Sequence, residues 1–179
     1  TEQRKHPLED YFKVPFVIVH PETGKGENLN RTMSKEFWLE IVQHLLQITN
    51  YQVIVCGISE KSAELFKFFL SNLNEGQERI VYAVQKLSLD EFFLLSKYAK
   101  AAFTLDSLAA HMCSINCDTV SFYKNCIGTL FFPISNQKVT VIHNLITSKD
   151  AMIHLNIRNC YVSDIESKET IEIIDQFIK

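Results

Sequence analysis

The sequence lacks the features that mark membrane proteins and disulfide-stapled secreted proteins. Within its 179 residues no apolar stretch approaches the roughly 18 residues that a membrane span needs. Its first residues do not have the pattern of a signal peptide. The five cysteines are an odd number without a CxxC pair, and a chain of this length buries a sizeable core without disulfides. We therefore expect reduced thiols and a cytoplasmic location.

Common ligand fingerprints and an excess of basic charge are also missing. The chain contains neither a GxxxxGK[ST] nor a GxGxxG motif, the two commonest phosphate-binding signatures. Its formal net charge of -3 argues against a surface built mainly for nucleic acid. His111, Cys113 and Cys117 lie close together, but no second ligand pair at metal spacing accompanies them. We therefore predict no metal site and no nucleic-acid partner.

What the sequence does contain is a regular alternation of short β-branched runs and amphipathic segments. Strands that alternate with helices of about a dozen residues predict βαβ units and a mostly parallel sheet. We expect one α/β, Rossmann-like domain over residues 16–179, preceded by a linker at 1–15. The predicted strands are 16–20, 51–57, 79–83, 101–105, 119–123 and 138–142, and the predicted helices follow Ser34, Ser59, Ser88 and Ser107, with a last one inside 163–179.

The segment 101–111 is the strongest candidate for a functional site. Its apolar run stops at Asp106 and Ser107, and an Ala-rich, helix-favouring segment follows with His111 one turn in. In an open α/β sheet, ligands bind where a strand's carboxyl end and the next helix's N-terminus converge. Asp106 could accept hydrogen bonds from sugar hydroxyls, with His111 facing the same cleft. The alternative is that Asp106 and Ser107 only cap the helix.

Other candidate residues follow the first two predicted strands. Right-handed crossovers bring the loops after parallel strands to one edge of the sheet. Lys25 and Arg31 lie in a Gly-containing loop, which suits a phosphate group. Glu60 begins a helix and could bind ribose hydroxyls, although acids are common in first helical turns because the helix dipole favours them. Together with the 101–111 segment, these residues predict a nucleotide-sugar pocket.

A succession of motifs runs through the chain from residue 16. It comprises a strand ending in His20-Pro21, a basic loop before 31–38, the segment 53–57 with Glu60, the segment 86–89, and Asp106–His111. This succession resembles the heptosyltransferase family of bacterial lipopolysaccharide synthesis, glycosyltransferase family 9, over roughly residues 16–133 and the final helix. Family members have two Rossmann-like domains in the GT-B arrangement. The resemblance covers the C-terminal, donor-binding half, so residues 1–15 would be a linker or the tail of a missing N-terminal domain.

The resemblance implies a donor site at the sheet edge, typically for ADP-heptose. Thr23 and Lys25 would lie beside the diphosphate, and Arg31 stands where the family usually has a lysine. Glu60 would meet the ribose, and Leu87 would line the adenine pocket. No metal or other cofactor is expected, because Lys25 and Arg31 would neutralise charge on the leaving diphosphate.

Asp106, Ser107 and His111 match the family motif D-[ST]-G-x-x-H, which holds the donor sugar and phosphates. The glycine of that motif is Leu108 here, and a Leu side chain at this turn would partly fill the donor site. The family's catalytic base lies in the N-terminal domain. We therefore assign no catalytic residue to this chain and expect it to be inactive alone.

Two functions follow from these patterns. The first is the donor-binding domain of a glycosyltransferase, which would pass a heptose-like sugar from a nucleotide diphosphate to a lipopolysaccharide or other saccharide acceptor. Such a protein would be cytoplasmic, and a lipid-linked acceptor would allow a peripheral position at the inner membrane. The alternative is a non-catalytic Rossmann-like binding or assembly domain that has lost the donor site. A flavodoxin-like or other nucleotide-binding regulatory domain is disfavoured, because a phosphate fingerprint and an acidic phosphorylation pocket are both absent.

Overall fold

The computed structural model describes residues 8–23, 31–124, 139–143, 159–162 and 167–178. These segments form one parallel sheet with helices on both faces. The strands are β1 (Phe16–His20), β2 (Gln52–Gly57), β3 (Ile80–Val84), β4 (Ala101–Leu105), β5 (Asp118–Tyr123), β6 (Val139–His143) and β7 (Asn159–Val162). The helices are α1 (Lys35–Ile48), α2 (Glu60–Asn72), α3 (Leu89–Ser96), α4 (Leu108–Asn116) and α5 (Ser167–Ile178).

The seven strands confirm the predicted parallel α/β sheet. Their order is β3-β2-β1-β4-β5-β6-β7, and every neighbouring pair is parallel. Val17 of β1 pairs with Val53 of β2 on one side and with Ala101 of β4 on the other. After β1, the chain adds β2 and β3 on one side of this strand. It then crosses back and adds β4 to β7 on the other side of β1. The crevice between the carboxyl ends of β1 and β4 is the topological switch point, where open α/β sheets bind ligands.

The core is split by the sheet into two layers. Successive side chains of a strand point to opposite faces. Val17 and Val19 of β1 lie on the face covered by α1, α2 and α5. Phe16 and Ile18 lie on the face covered by α3 and α4. Burial on both faces explains why the strands are nearly continuous apolar runs in the sequence.

Two of the predicted helix starts have the expected caps. The backbone N–H of Phe37 donates to Oγ of Ser34 at 3.1 Å, before α1. At α3, Ser88 and Glu91 form a capping box, in which each side chain accepts a hydrogen bond from the other's backbone N–H.

The structure also contains elements that the sequence analysis did not predict. Strand β7 was not predicted, and it pairs in parallel with β6 at the sheet edge. Residues 8–15, inside the predicted linker, lie against the domain. Leu8 is fully buried, and the ring centres of Phe12 and Tyr98 are 4.5 Å apart. Residues 125–138 and 144–158, on either side of β6, lie outside the described residues.

Arg79, just before β3, stabilises the end of α1. Its guanidinium donates hydrogen bonds to the carbonyl oxygens of Leu46 and Thr49, the latter at 2.7 Å. The last carbonyls of a helix have no partner within the helix. We therefore expect Arg79→Ala to lower the free energy of unfolding by about 1–2 kcal/mol, measured by urea denaturation. Arg79→Lys, which keeps the charge but not the planar fork, should lose less. A loss below about 0.5 kcal/mol, the usual range of surface changes, would contradict this role.

Candidate functional site

A cavity of about 260 Å³ opens at the carboxyl edge of the sheet, beside the switch point. Its walls are largely apolar, and their side chains come from α3, from α4 and from the turn that precedes α3. Leu87, Leu89 and Phe92 line one side, and Leu108 and Met112 line the other. Concave sites with mostly apolar walls and a few polar groups are typical of small-molecule and cofactor binding.

The polar groups of this cavity come from the end of β1 and the start of α4. His20, Thr23 and Ser107 all line it. Nδ1 of His20 and Oγ1 of Thr23 are buried, and neither has a hydrogen-bond partner among the described residues. Buried polar atoms in folded proteins are nearly always hydrogen-bonded. Two such atoms in one cavity therefore make it suited to a ligand with polar groups.

Glu22 is a buried carboxylate that sequence reasoning missed. It accepts hydrogen bonds from the backbone N–H groups of Ile58 and Ser59 at 3.0 and 2.8 Å. The hydroxyls of Ser59 and Ser62 also donate to it. Burial acts to raise the pKa of Glu22, but the hydrogen bonds from Ser62, Ile58 and Ser59 outweigh it and the pKa is lowered. The N-terminus of α2 is thus occupied by the protein's own carboxylate, which the helix dipole favours.

Gly57, the last residue of β2, allows this close packing. A Cβ atom at this position would lie 2.6 Å from Oγ of Ser62 and would also meet the carboxylate of Glu22. Real Cβ atoms essentially never show such a contact, so a side chain at position 57 would have to displace Glu22 or Ser62. The glycine is therefore required because the Glu22 carboxylate and the first turn of α2 approach the backbone here.

Asp106 directly follows β4, at the carboxyl end where it was predicted. Its Oδ2 forms an ion pair with Nη2 of Arg31. Asp106 is buried, while the Arg31 side chain remains 33% exposed. Ser107 and Leu108, the next residues along the chain, line the cavity. Two predicted site residues from different loops therefore meet at the switch point and bind each other.

Ser107 is at the N-cap position of α4, but its side chain does not cap the helix. Its hydroxyl instead donates to the carbonyl oxygen of Leu105 at 3.2 Å. The expectation that the Ser107 side chain caps α4 is therefore wrong. Ser107 has a φ of -160°, whereas Ser34 and Ser88, which do cap their helices, have φ values of -66° and -68°.

The remaining predicted site residues lie in different places. Thr23 and Leu87 line the cavity. Glu60 is the first residue of α2 and is exposed. His111 is half-buried on α4, and burial lowers its pKa; neither Glu60 nor His111 belongs to the described cavity wall. Lys25 lies outside the described residues.

No group of three or more His, Cys, Asp or Glu residues in the described segments could hold a metal ion. Cys56, Cys113 and Cys117 are buried thiols in the layer under α3 and α4. A hydrogen bond with Cys117, together with burial, raises the pKa of the Cys113 thiol well above its ordinary value. Of the helices in the described segments, none has the length and apolarity needed to cross a bilayer.

Comparison with known proteins rests on structure, because the sequence matches no protein-family model and no curated protein. The E. coli ADP-heptose lipopolysaccharide heptosyltransferase II superposes with a TM-score of 0.70 at 22% identity, over 98% of this chain and 52% of that one. A glycosyl transferase of family 9 from Veillonella parvula gives 0.68 at 11% identity, over 92% and 46%. The chain has a heptosyltransferase-like fold. This confirms the resemblance drawn from the motif succession, at the level of the fold.

The heptosyltransferase-like fold is shared with a second group of nucleotide-sugar enzymes. The UDP-GlcNAc 2-epimerase of Methanocaldococcus jannaschii, solved with UDP-GlcNAc and UDP, superposes with a TM-score of 0.51 at 16% identity, over 98% of this chain and 42% of that one. The chain thus spans about half the length of the structures that it matches.

Proposed function

We propose that the chain is the donor-binding domain of a glycosyltransferase that moves a heptose-like sugar from a nucleotide diphosphate to a lipopolysaccharide or other saccharide acceptor. The observation that carries this proposal is the cavity at the switch point. Its apolar walls suit a nucleotide base, and its buried Thr23 hydroxyl has no partner among the described residues. The E. coli heptosyltransferase WaaC, whose structure with ADP has a TM-score of 0.63 to this chain at 13% identity, supports a nucleotide ligand.

In this proposal the chain binds and orients the donor. The base lies between Leu87 and Met112, and the diphosphate leads past Thr23 towards Arg31 and Lys25. Cations beside the leaving diphosphate offset the negative charge that develops as the glycosidic bond breaks. The base that activates the acceptor hydroxyl is expected in a separate N-terminal domain. The chain alone therefore binds a donor but does not transfer its sugar.

A second candidate is a non-catalytic binding or assembly domain that has lost the donor site. Leu108 favours it, because this residue replaces the glycine of the D-[ST]-G-x-x-H motif. Its side chain, 59% exposed, lines the cavity at the first position of α4. The two functions differ in one property: only the first binds a nucleotide diphosphate.

Titration with ADP and UDP, followed by NMR and calorimetry, tests the proposed function. These 179 residues cover about half of the heptosyltransferase structures that they match, so we expect weak binding in the millimolar range, about -4 kcal/mol. The largest shift changes should map to the ends of β1 and β4. If neither nucleotide produces shift changes at these strand ends, the donor-binding proposal is wrong and the alternative stands.

Leu108→Gly measures how far this side chain obstructs the site. We expect the variant to bind ADP several-fold more tightly, because removing the side chain opens the first turn of α4 to the ligand. Ile115→Gly is the matched control, since Ile115 is another exposed apolar residue of α4, at 55%, outside the described cavity wall. Equal affinity of Leu108→Gly, Ile115→Gly and the unaltered chain would show that Leu108 is no obstruction.

A further inference from the structure

His20 ends a row of side chains that is otherwise apolar. Phe16, Ile18 and His20 alternate along β1, so they point to the same face of the sheet. Phe16 and Ile18 belong to the buried layer under α3 and α4. The His20 ring continues this row and packs against Phe92 of α3, with the ring centres 5.7 Å apart. The last position of the row therefore places an imidazole where the apolar layer opens into the cavity.

One nitrogen of this imidazole lacks a hydrogen-bond partner among the described residues. Its Nδ1 atom is buried and has no hydrogen-bond partner in the part of the chain that the structure describes. Most buried side-chain nitrogens in folded proteins have one, so this atom is suited to bonding a ligand. Burial lowers the pKa of His20, although the charge of Glu22 and nearby backbone carbonyls act in the opposite direction. The ring is therefore neutral at physiological pH, with one nitrogen that donates and one that accepts.

We propose that His20 is a ligand-binding residue that contacts the nucleoside part of the bound nucleotide. This inference rests on the proposed function and adds a residue to its site. A neutral imidazole adds no charge for a phosphate group, whose oxygens only accept hydrogen bonds. A base edge or a ribose hydroxyl offers donors and acceptors, as the imidazole does. Leu87 and Phe92 line the same cavity, so apolar side chains lie beside such a contact.

Parallel titrations with adenosine and ADP separate a nucleoside contact from a phosphate contact. His20→Phe keeps a ring against Phe92 and removes both nitrogens. We expect it to weaken adenosine and ADP by the same factor, roughly tenfold for one sheltered hydrogen bond. Arg31→Ala should weaken ADP and leave adenosine unchanged. The NMR spectrum of each variant reports whether it is folded, and His20→Leu repeats the test if His20→Phe does not fold.

Each outcome decides the inference. The inference is supported if the His20 variant binds adenosine and ADP more weakly by the same factor. Unchanged affinities overturn it and leave the proposed function standing. A loss confined to ADP, or an unaltered chain that binds ADP but not adenosine, also overturns it, because the nucleoside would then not be held here. If the unaltered chain binds neither ligand, the proposed function fails, and this inference fails with it.

Discussion

Replacing Lys25 and Arg31 together by alanine should weaken ADP binding by well over tenfold. A charge-assisted hydrogen bond contributes roughly 1.5–3 kcal/mol when it is sheltered, and two are removed. Solvent screening lowers the contribution of the Arg31 hydrogen bond, because the Arg31 side chain is one-third exposed. Calorimetric titration of the unaltered and doubly substituted chains measures the difference.

The control for this prediction must remove the same charge elsewhere. Lys97→Ala with Lys100→Ala takes two exposed lysines from the segment before β4, at the opposite end of that strand from Asp106. This variant should bind ADP as the unaltered chain does. Since Arg31 also pairs with Asp106, thermal unfolding of every variant must confirm that the domain is intact. If the double substitution leaves the ADP affinity unchanged, Lys25 and Arg31 do not bind the phosphates as proposed.

Replacing Glu22 by alanine should cost the domain about 2–4 kcal/mol of stability. The substitution removes the acceptor for two backbone N–H groups and two hydroxyls at the start of α2. Each buried donor left without a partner costs about 1–3 kcal/mol, and water reaches some of them because Ile58 is exposed. Urea denaturation measures the loss. Glu64→Ala, on the exposed side of α2, is the matched control and should change stability by less than about 0.5 kcal/mol.

The same carboxylate makes stability depend on pH. The pKa of Glu22 in the folded chain is below its ordinary value of 4.5. The carboxylate therefore contributes its full stabilisation above that value, and the contribution is lost as the pH falls through the lowered pKa. Glu22→Gln should remove this contribution and flatten the acid limb of the stability curve. An acid limb that is the same in Glu22→Gln and the unaltered chain would contradict the assignment.

The sheet and the β4–α4 corner were predictable because local signals determine them. Residues 101–105 form an apolar run of strand length, and Asp106 ends it abruptly. The alternation of such runs with helical segments is enough to predict a parallel sheet. Strand β7 was missed because 159–162 is only four residues long and carries no clear alternation.

The contacts within the site were not predictable, because they join loops that are distant in sequence. Arg31 and Asp106 were both assigned to a ligand, whereas the structure pairs them with each other. Glu22 has the sequence context of a solvated loop acid, and only the fold brings Ile58 and Ser59 to it. His20 carried one usable signal, the i, i+2 row with Ile18, which indicates a side chain on the buried face.

The interior position of β1 in the sheet has a consequence for how the chain folds. One edge of β1 pairs with β2, which is close in sequence. Its other edge pairs with β4, which is distant in sequence, since Val17 pairs with Ala101. Contacts between residues so far apart in sequence slow folding, because the intervening loop must be closed first. During synthesis, the hydrogen-bonding groups of that edge remain open until β4 has left the ribosome. An open, apolar strand edge is a site of intermolecular pairing. Fragments that end between β3 and β4 should therefore aggregate, while fragments that include β4 should remain monomeric longer.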